Sequence, residues 1–255
     1  MKIGAQLYTV RHRLHDPDQL QAVLNRLHEI GYEGVEVAGL AQTAAERFEQ
    51  HLRASGLVAC AAHVSLEKLV GDPSAVASDC RRWGCEYVVI PSLPAEYHSE
   101  SGFHRFARES ADIAKVLKPF GLELAYHNHA DELERLNGRT GLDILFDFAA
   151  SDALKAELDT YWIAYAGGSP AQWIHRLAGR VPLVHLKDMS SVGGKVVQAE
   201  VGEGSLDWAE ILTACRDANA HWLVVEQDDC AGDPLDSLAL SHLNLTRLLA
   251  ATSSG

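Results

Sequence analysis

The chain predicts a single (β/α)8 TIM barrel spanning residues 1–255. Three observations carry that expectation. Short apolar runs alternate eight times with helical patterns, and eight alternations in about 250 residues match a barrel in size and order. The runs are nearly continuous rather than strictly alternating, as in parallel strands buried on both faces. The first run passes into Tyr8-Thr9-Val10-Arg11 without the Gly-rich phosphate turn usual in an open doubly wound sheet.

Each element has a local reason. Strand one is read over Ile3–Tyr8. Asp16 then caps a helix opened by Pro17, in which Leu20, Val23, Leu24, Leu27 and Ile30 form one stripe until Gly31 stops it. After strand two, Gly34–Val37, the segment Thr43-Ala44-Ala45-Glu46 reads as a capping box ahead of Phe48 and Leu52, with a stop near Gly56. Strand three, Val58–Val64, precedes a helix opened by Asp72-Pro73 and ended at Gly84. Strand four, Tyr87–Pro91, leads into a longer helix through Phe103, Phe106, Ile113 and Leu117 to Pro119. Strand five, Glu123–His127, is followed by the shortest helix, around Leu142–Phe148. Strand six, Ala156–Tyr161, precedes a helix opened by Ser169-Pro170 with Trp173, Ile174 and Leu177 inward. Strand seven, Pro182–Leu186, precedes a helix capped by Ser205 and bearing Trp208, Ile211, Leu212 and Cys215. Strand eight, Trp222–Glu226, comes before a last helix carrying Leu238, Leu245, Leu248 and Leu249, and the terminal Ala-Thr-Ser-Ser-Gly reads as a frayed end.

Composition narrows the function. Hydrophobic residues make up 47% and charged ones 22%, ordinary globular usage, so a core forms without staples. The formal charge of −13, from 35 acidic against 22 basic residues, argues against nucleic acid and anionic membranes as partners. Five scattered cysteines read as reduced thiols, and the location expected is cytoplasmic. The N-terminal apolar run is too short for a signal peptide, and no run reaches membrane-spanning length.

A barrel places its active site at the C-terminal strand ends. Strand one exits near Gln6 and Tyr8, strand two at Glu36, strand three at His63, and strand five at His127-Asn128-His129. Strand six exits at Asp159-Thr160-Tyr161-Trp162, strand seven at His185-Leu186-Lys187-Asp188, and strand eight at Glu226-Gln227-Asp228. Taken singly, His63 suits a hydrogen-bonded structural histidine, and Lys187 and Asp188 suit a solvated loop. Taken together, Asp159, His185 and Glu226 leave three successive strands and crowd the same rim, which is costly without a cation or hydrogen bonds. One divalent ion is the expectation. One imidazole among carboxylates suits manganese, magnesium, cobalt or zinc.

These residues also carry a resemblance. IGAQLYTVR, GYEGVEVAGL, GLELAYHNHADEL, ELDTYWIAYAGGSP, RVPLVHLKD, VGEGSLDW and WLVVEQD, in this order from residue 3 to 245, resemble the sugar phosphate isomerase/epimerase family of xylose isomerase-like TIM barrels, in its YHNH-type subgroup. The resemblance implies an ion held by a carboxylate from strand five, an aspartate from six, a histidine from seven and a glutamate from eight. The last three fall on Asp159, His185 and Glu226. Strand five departs, because His127 stands where the epimerases place a glutamate. Glu132 is the expected fourth ligand, with His127 or His129 as fallback. The chemistry implied is isomerisation or epimerisation of a ketose or keto-sugar through an enediolate. Glu226 moves one proton and His129 or His127 the other, and Lys187 holds a substrate oxygen or the developing charge. His63 and Trp162 complete the pocket for a small sugar or cyclitol.

Three alternatives stay open at this point. Histidines in place of the second glutamate also suit a lyase, of the inosose dehydratase kind or one cleaving keto-glycosides. Abasic-site endonucleases share the superfamily barrel, but the charge balance speaks against DNA. A sugar-binding barrel with a vestigial site is the non-enzymatic reading.

Overall fold

The computed structural model describes residues 1–40 and 45–252. Eight parallel strands close into one barrel: β1 (Lys2–Gln6), β2 (Gly34–Val37), β3 (Val58–His63), β4 (Tyr87–Ile90), β5 (Glu123–His127), β6 (Lys155–Asp159), β7 (Leu183–Leu186) and β8 (Trp222–Val225). They neighbour one another in chain order, and β8 returns to β1 in the register Lys2↔Trp222 to Ala5↔Val225. The expected (β/α)8 barrel is therefore present. The main helices are α1 (Pro17–Ile30), α2 (Ala45–Ser55), α3 (Pro73–Trp83), α4 (Glu100–Leu117), α5 (Gly141–Phe148), α6 (Pro170–Arg176), α7 (Trp208–Asp217) and α8 (Pro234–Thr252).

The starts and stops follow local chemistry. Asp16 accepts from the Asp18 and Gln19 amides ahead of Pro17, and Gly31 ends α1 in the left-handed region. Thr140 and Asp143 form a reciprocal capping box that makes the short α5 a defined helix. The capping box expected at Thr43–Glu46 and the frayed C-terminus fall wholly or partly outside the described residues. Several expectations change. Strand six stops at Asp159, because Thr160 and Tyr161 already belong to a short helix, and α6, not α5, is the shortest of the main helices. Strand one stops at Gln6, whose side chain caps a 3-10 helix over Leu7–Arg13. Ser205 does not cap α7: its hydroxyl donates to the Met189 carbonyl, and Asp207 accepts from the Glu210 amide instead.

Two layers of apolar side chains form. One lies between strands and helices. The other, with Cys60, Ala61, Tyr87, Val89, Ala125, Leu183, Trp222 and Val224, fills the barrel. Because side chains alternate along a strand, the residue two beyond each inner apolar position also faces inward. Ala61 is thus followed by His63, Ala125 by His127, Leu183 by His185 and Val224 by Glu226. The polar site is the next storey of the core. An unanticipated antiparallel hairpin, Asp188–Val192 with Lys195–Ala199, rises beside it and turns at Gly193-Gly194, both at positive φ. Among the described residues no helix is long and apolar enough to cross a membrane.

Candidate metal centre and active site

Ligand-capable atoms of His127, Asp159, His185 and Glu226 lie within 4.8 Å of one another, and all four residues are buried. Local structure fixes each. Asp159 ends β6 and caps the short helix Thr160–Tyr165, with Oδ1 accepting from the Trp162 amide at 2.9 Å. Asn128 Oδ1 accepts from the Asp159 amide at 3.1 Å, so the YHNH segment is stitched to the β6 exit. Thr160 Oγ1 accepts from the Lys187 amide at 3.0 Å and has the His185 and Lys187 carbonyls within reach of its single proton, tying the β6 exit to β7. His185 Nδ1 is 2.9 Å from Glu226 Oε2 and 4.0 Å from Asp159 Oδ2. His127 Nε2 is 3.9 Å from Asp159 Oδ2.

Lys187 closes one side. Its Nζ stands 3.1 Å from Asp159 Oδ2, 2.7 Å from Glu226 Oε2 and 2.8 Å from Asp228 Oδ2. The hairpin's Gln198 clamps Asp228, donating to its Oδ2 and accepting from its amide, each at 2.6 Å.

The charge states are set by competition between burial and neighbours. Burial raises the Glu226 carboxyl, but Lys187 and His185 outweigh it and hold its pKa well below the usual range. Burial also raises Asp159, and there Lys187 and His185 do not fully compensate, so its pKa stays up. Burial and the neighbouring His185 push His127 well down, leaving a neutral imidazole suited to ligation. For His185 burial is outweighed by Glu157, Glu226 and Glu36, which raise it well above the ordinary value. His63 is likewise lifted to about 10, as Glu36 and Glu157 overcome its burial.

The four residues fit a divalent ion. Asp159 Oδ2 is buried and, beyond its charge contact with Lys187, has no hydrogen bond among the described residues, and two imidazoles with two carboxylates form a donor set such ions accept. Glu132 is not brought to this cluster. The 3-10 turn Asp131–Leu133 folds it back beneath its own loop, where Oε1 accepts from the Tyr126 hydroxyl and Oε2 from the His129 amide at 2.7 Å. The fallback residue His127 stands at the strand-five position instead.

A cavity of about 370 Å³ opens above, lined by Tyr8, Gly39, His63, His127, His129, Glu226 and Asp228 among others. His63 and His129 both line this cavity. Trp162, expected in the pocket, is not among the lining residues; its ring neighbours His129, 5.4 Å between centroids, and lies 5.7 Å from Lys187 Nζ. Lys187 is buried and engaged by three carboxylates. Sequence reasoning missed Glu157, which is wholly buried with Oε2 2.8 Å from His63 Nε2. The signal was the spacing Glu157-Leu158-Asp159, which puts both acids on one strand face.

A model of the family described as xylose isomerase-like TIM barrel matches residues 24–245. The rhizopine catabolism protein MocC of Rhizobium meliloti is 30% identical over 176 residues, 57% of this chain and 50% of MocC, so the chain spans half the length of that relative. The inosose dehydratase of Geobacillus kaustophilus is 21% identical over 89% of this chain and 86% of its own. A sugar phosphate isomerase/epimerase structure from Parabacteroides distasonis superposes with a TM-score of 0.81 at 20% identity, covering 96% of this chain and 93% of that one. The structure of the IolI protein with a zinc atom superposes at 0.73 and 12% identity, over 99% of each chain. These structural likenesses speak to the fold. With the family model spanning most of its length, the chain belongs to the xylose isomerase-like TIM barrel family.

Proposed function

We propose that this chain is a divalent-metal-dependent isomerase or epimerase that moves a proton at the carbon beside a carbonyl in an uncharged ketose, keto-sugar or cyclitol. The observation that carries the reading is a cavity lined by His127 and Glu226, two of four clustered ligand-capable residues, whose wall also offers groups able to take and return a proton. The ligands in this reading are His127, Asp159, His185 and Glu226, and the zinc held by IolI favours a divalent ion here. When bound, such an ion polarises a carbonyl and acidifies the C–H next to it.

The chain's own groups do the rest. Glu226, ionised because Lys187 and His185 hold its charge, accepts the proton. His129, on the cavity wall, serves as the partner that returns it. Lys187, whose own charge is kept by Asp159, Glu226 and Asp228 against burial, faces the developing negative charge from behind Glu226. Trp162 supplies a flat apolar edge for a ring, and His63 a donor at the cavity wall.

Dehydration of a keto-cyclitol is the second reading. It is favoured by the near full-length similarity to an inosose dehydratase and by a histidine standing where a second glutamate would act. Both reactions begin with the same proton abstraction. The test is to load the protein with manganese or zinc in D2O and supply inosose and a panel of free ketoses. Deuterium at the carbon beside the carbonyl, with the hydroxyls kept, supports isomerisation or epimerisation. Loss of water supports the dehydratase reading. If no substrate exchanges, or if Glu226→Gln exchanges as fast as the unaltered chain, the proposal fails.

A further inference from the structure

Behind the four clustered residues stand Gln6, Glu36 and Glu157, which the function above leaves unused, joined to one another through the cavity-wall residue His63. Glu36 and Glu157 are wholly buried, and the Oε1 of each lacks a hydrogen bond among the described residues. Their Oε2 atoms do the contacting. Glu36 Oε2 is 2.6 Å from His185 Nε2, 3.1 Å from His63 Nε2, and accepts from Gln6 Nε2 at 2.7 Å. Glu157 Oε2 is 2.8 Å from His63 Nε2, 3.3 Å from His185 Nε2 and 3.4 Å from His127 Nδ1.

This arrangement dictates tautomers. A carboxylate only accepts, so a ring nitrogen facing carboxylate oxygens carries the proton. His185 Nε2 faces two of them on the outer side, and Nδ1 faces two on the inner side, so the metal-free ring carries both protons and Nδ1 is the nitrogen that gives up its proton to an ion. That nitrogen points at Glu226 Oε2 and Asp159 Oδ2. His127 is arranged in the opposite sense: Nδ1 stands 3.4 Å from Glu157 Oε2, close enough to be drawn to it although no hydrogen bond is formed, and Nε2 faces Asp159 Oδ2. Two histidines on different strands, using different nitrogens, therefore turn the nitrogen that faces away from the outer carboxylates toward Asp159 Oδ2.

We infer that Glu36 and Glu157 are positioning residues that select the ligating nitrogen of His185 and His127, with the His63 N–H joining the two carboxylates and Gln6 anchoring Glu36. The inference rests on the ion centre proposed above. Outer carboxylates of this kind fix ring orientation and raise ligand basicity, and their loss costs about 10- to 100-fold in metal affinity. The competing arrangement is a second cation among His63, His127, Glu157 and His185, whose ligand atoms also lie within 4.8 Å of one another. Filling both places would require His127 and His185 to surrender both ring protons, because each ring belongs to both sets.

The experiment titrates zinc by calorimetry into the unaltered chain, Glu36→Gln, Glu36→Leu, Glu157→Gln and His63→Ala. Long-range nitrogen–proton spectra of the histidine rings are recorded on each zinc-loaded protein, and metal-free melting curves verify folding. One equivalent of zinc is expected, with His185 bound through Nδ1 and protonated at Nε2, and His127 bound through Nε2. Affinity should fall about 10- to 100-fold in Glu36→Leu and by less in Glu36→Gln, whose amide oxygen still accepts from His185. Should Glu36→Leu fail to fold, the tautomers of the unaltered chain and the Glu157→Gln affinity decide. Unchanged affinity in folded Glu36→Leu and Glu157→Gln overturns the inference. So does His185 bound through Nε2, or two equivalents of which His63→Ala loses one. Those results leave the ion centre standing. An unaltered chain that takes up no zinc removes the centre and the inference together.

Discussion

Glu132 and His63 show how far residue identity alone carries a functional reading. Asp159, His185 and Glu226 were legible as a group because each ends an apolar run and their strands are neighbours. Glu132 was assigned by resemblance, and its backbone turn directs it to Tyr126 and the His129 amide. Removing a buried carboxylate with two hydrogen bonds costs about 1–3 kcal/mol. Glu132→Ala should therefore lower stability by that amount, read from urea unfolding, while zinc stoichiometry stays at one. Loss of the ion with unchanged stability would return Glu132 to the ligand set. His63 gives a pH signature. Its pKa is raised to about 10 in the folded chain, against roughly 6.5 for a free imidazole. A raised pKa stabilises fully below the unfolded value, and that contribution disappears as pH climbs through the folded one. The metal-free chain should lose stability between about pH 6.5 and 10, and His63→Gln should flatten that slope in melting curves. Glu157, depressed because His185 and His63 outweigh its burial, works in the other sense, losing its contribution as pH falls below the ordinary carboxylate range.

Strands, caps and stops were readable at the scale of elements because they are local chemistry: Asp16-Pro17, Ser169-Pro170 and Asp72-Pro73 all open helices where expected. The hairpin over 188–199 was not read, although Gly193-Gly194 between β-branched residues is a hairpin signal. Counting eight barrel strands left it no place. Its anchor is Asp188, which looked like a solvated loop residue. It is instead wholly buried and accepts from the Met189, Gly202, Gly204 and Leu206 amides and from Trp208 Nε1 at 2.6 Å. The segment Val201-Gly-Glu-Gly-Ser205 thus wraps a carboxylate, and a Cβ on Gly204 would stand 2.2 Å from Asp188 Oδ1. Asp188→Ala leaves five donors without their acceptor, so a loss above about 3 kcal/mol is expected in unfolding experiments. Gly204→Ala should cost about 1–3 kcal/mol by overpacking the same turn. In both variants the hairpin loosens, and Gln198 releases Asp228. Equal stability of Asp188→Ala and the unaltered chain would show that the wrap contributes nothing.

For the whole molecule, charge says more about the substrate than fold does, since one barrel serves many chemistries. The formal charge is −13, and among the described residues lining the cavity neither arginine nor lysine appears. Lys187 lies just beneath but is held by three carboxylates, and the His63 charge is matched by Glu36 and Glu157. A phosphate group entering this cavity meets Glu226 and Asp228 with no free cationic side chain among the described lining residues to receive it, and at long range it approaches a negative protein. An uncharged polyol meets no such barrier and finds donors and acceptors in Tyr8, Ser92, His63, His129, Glu226 and Asp228. A ketose should therefore be preferred over its phosphate ester by roughly tenfold or more in kcat/KM, equivalent to about 1.4 kcal/mol. The long-range part of that preference is screened by salt and the short-range part is not, because the Debye length falls from about 10 Å at 0.1 M to about 3 Å at 1 M. Measuring both substrates at low and high salt separates the two. The gap should narrow without closing. A phosphate ester turned over faster than its parent sugar would mean that Lys187 or His63 is released from its carboxylates in the working enzyme, and the uncharged-substrate reading would have to be abandoned.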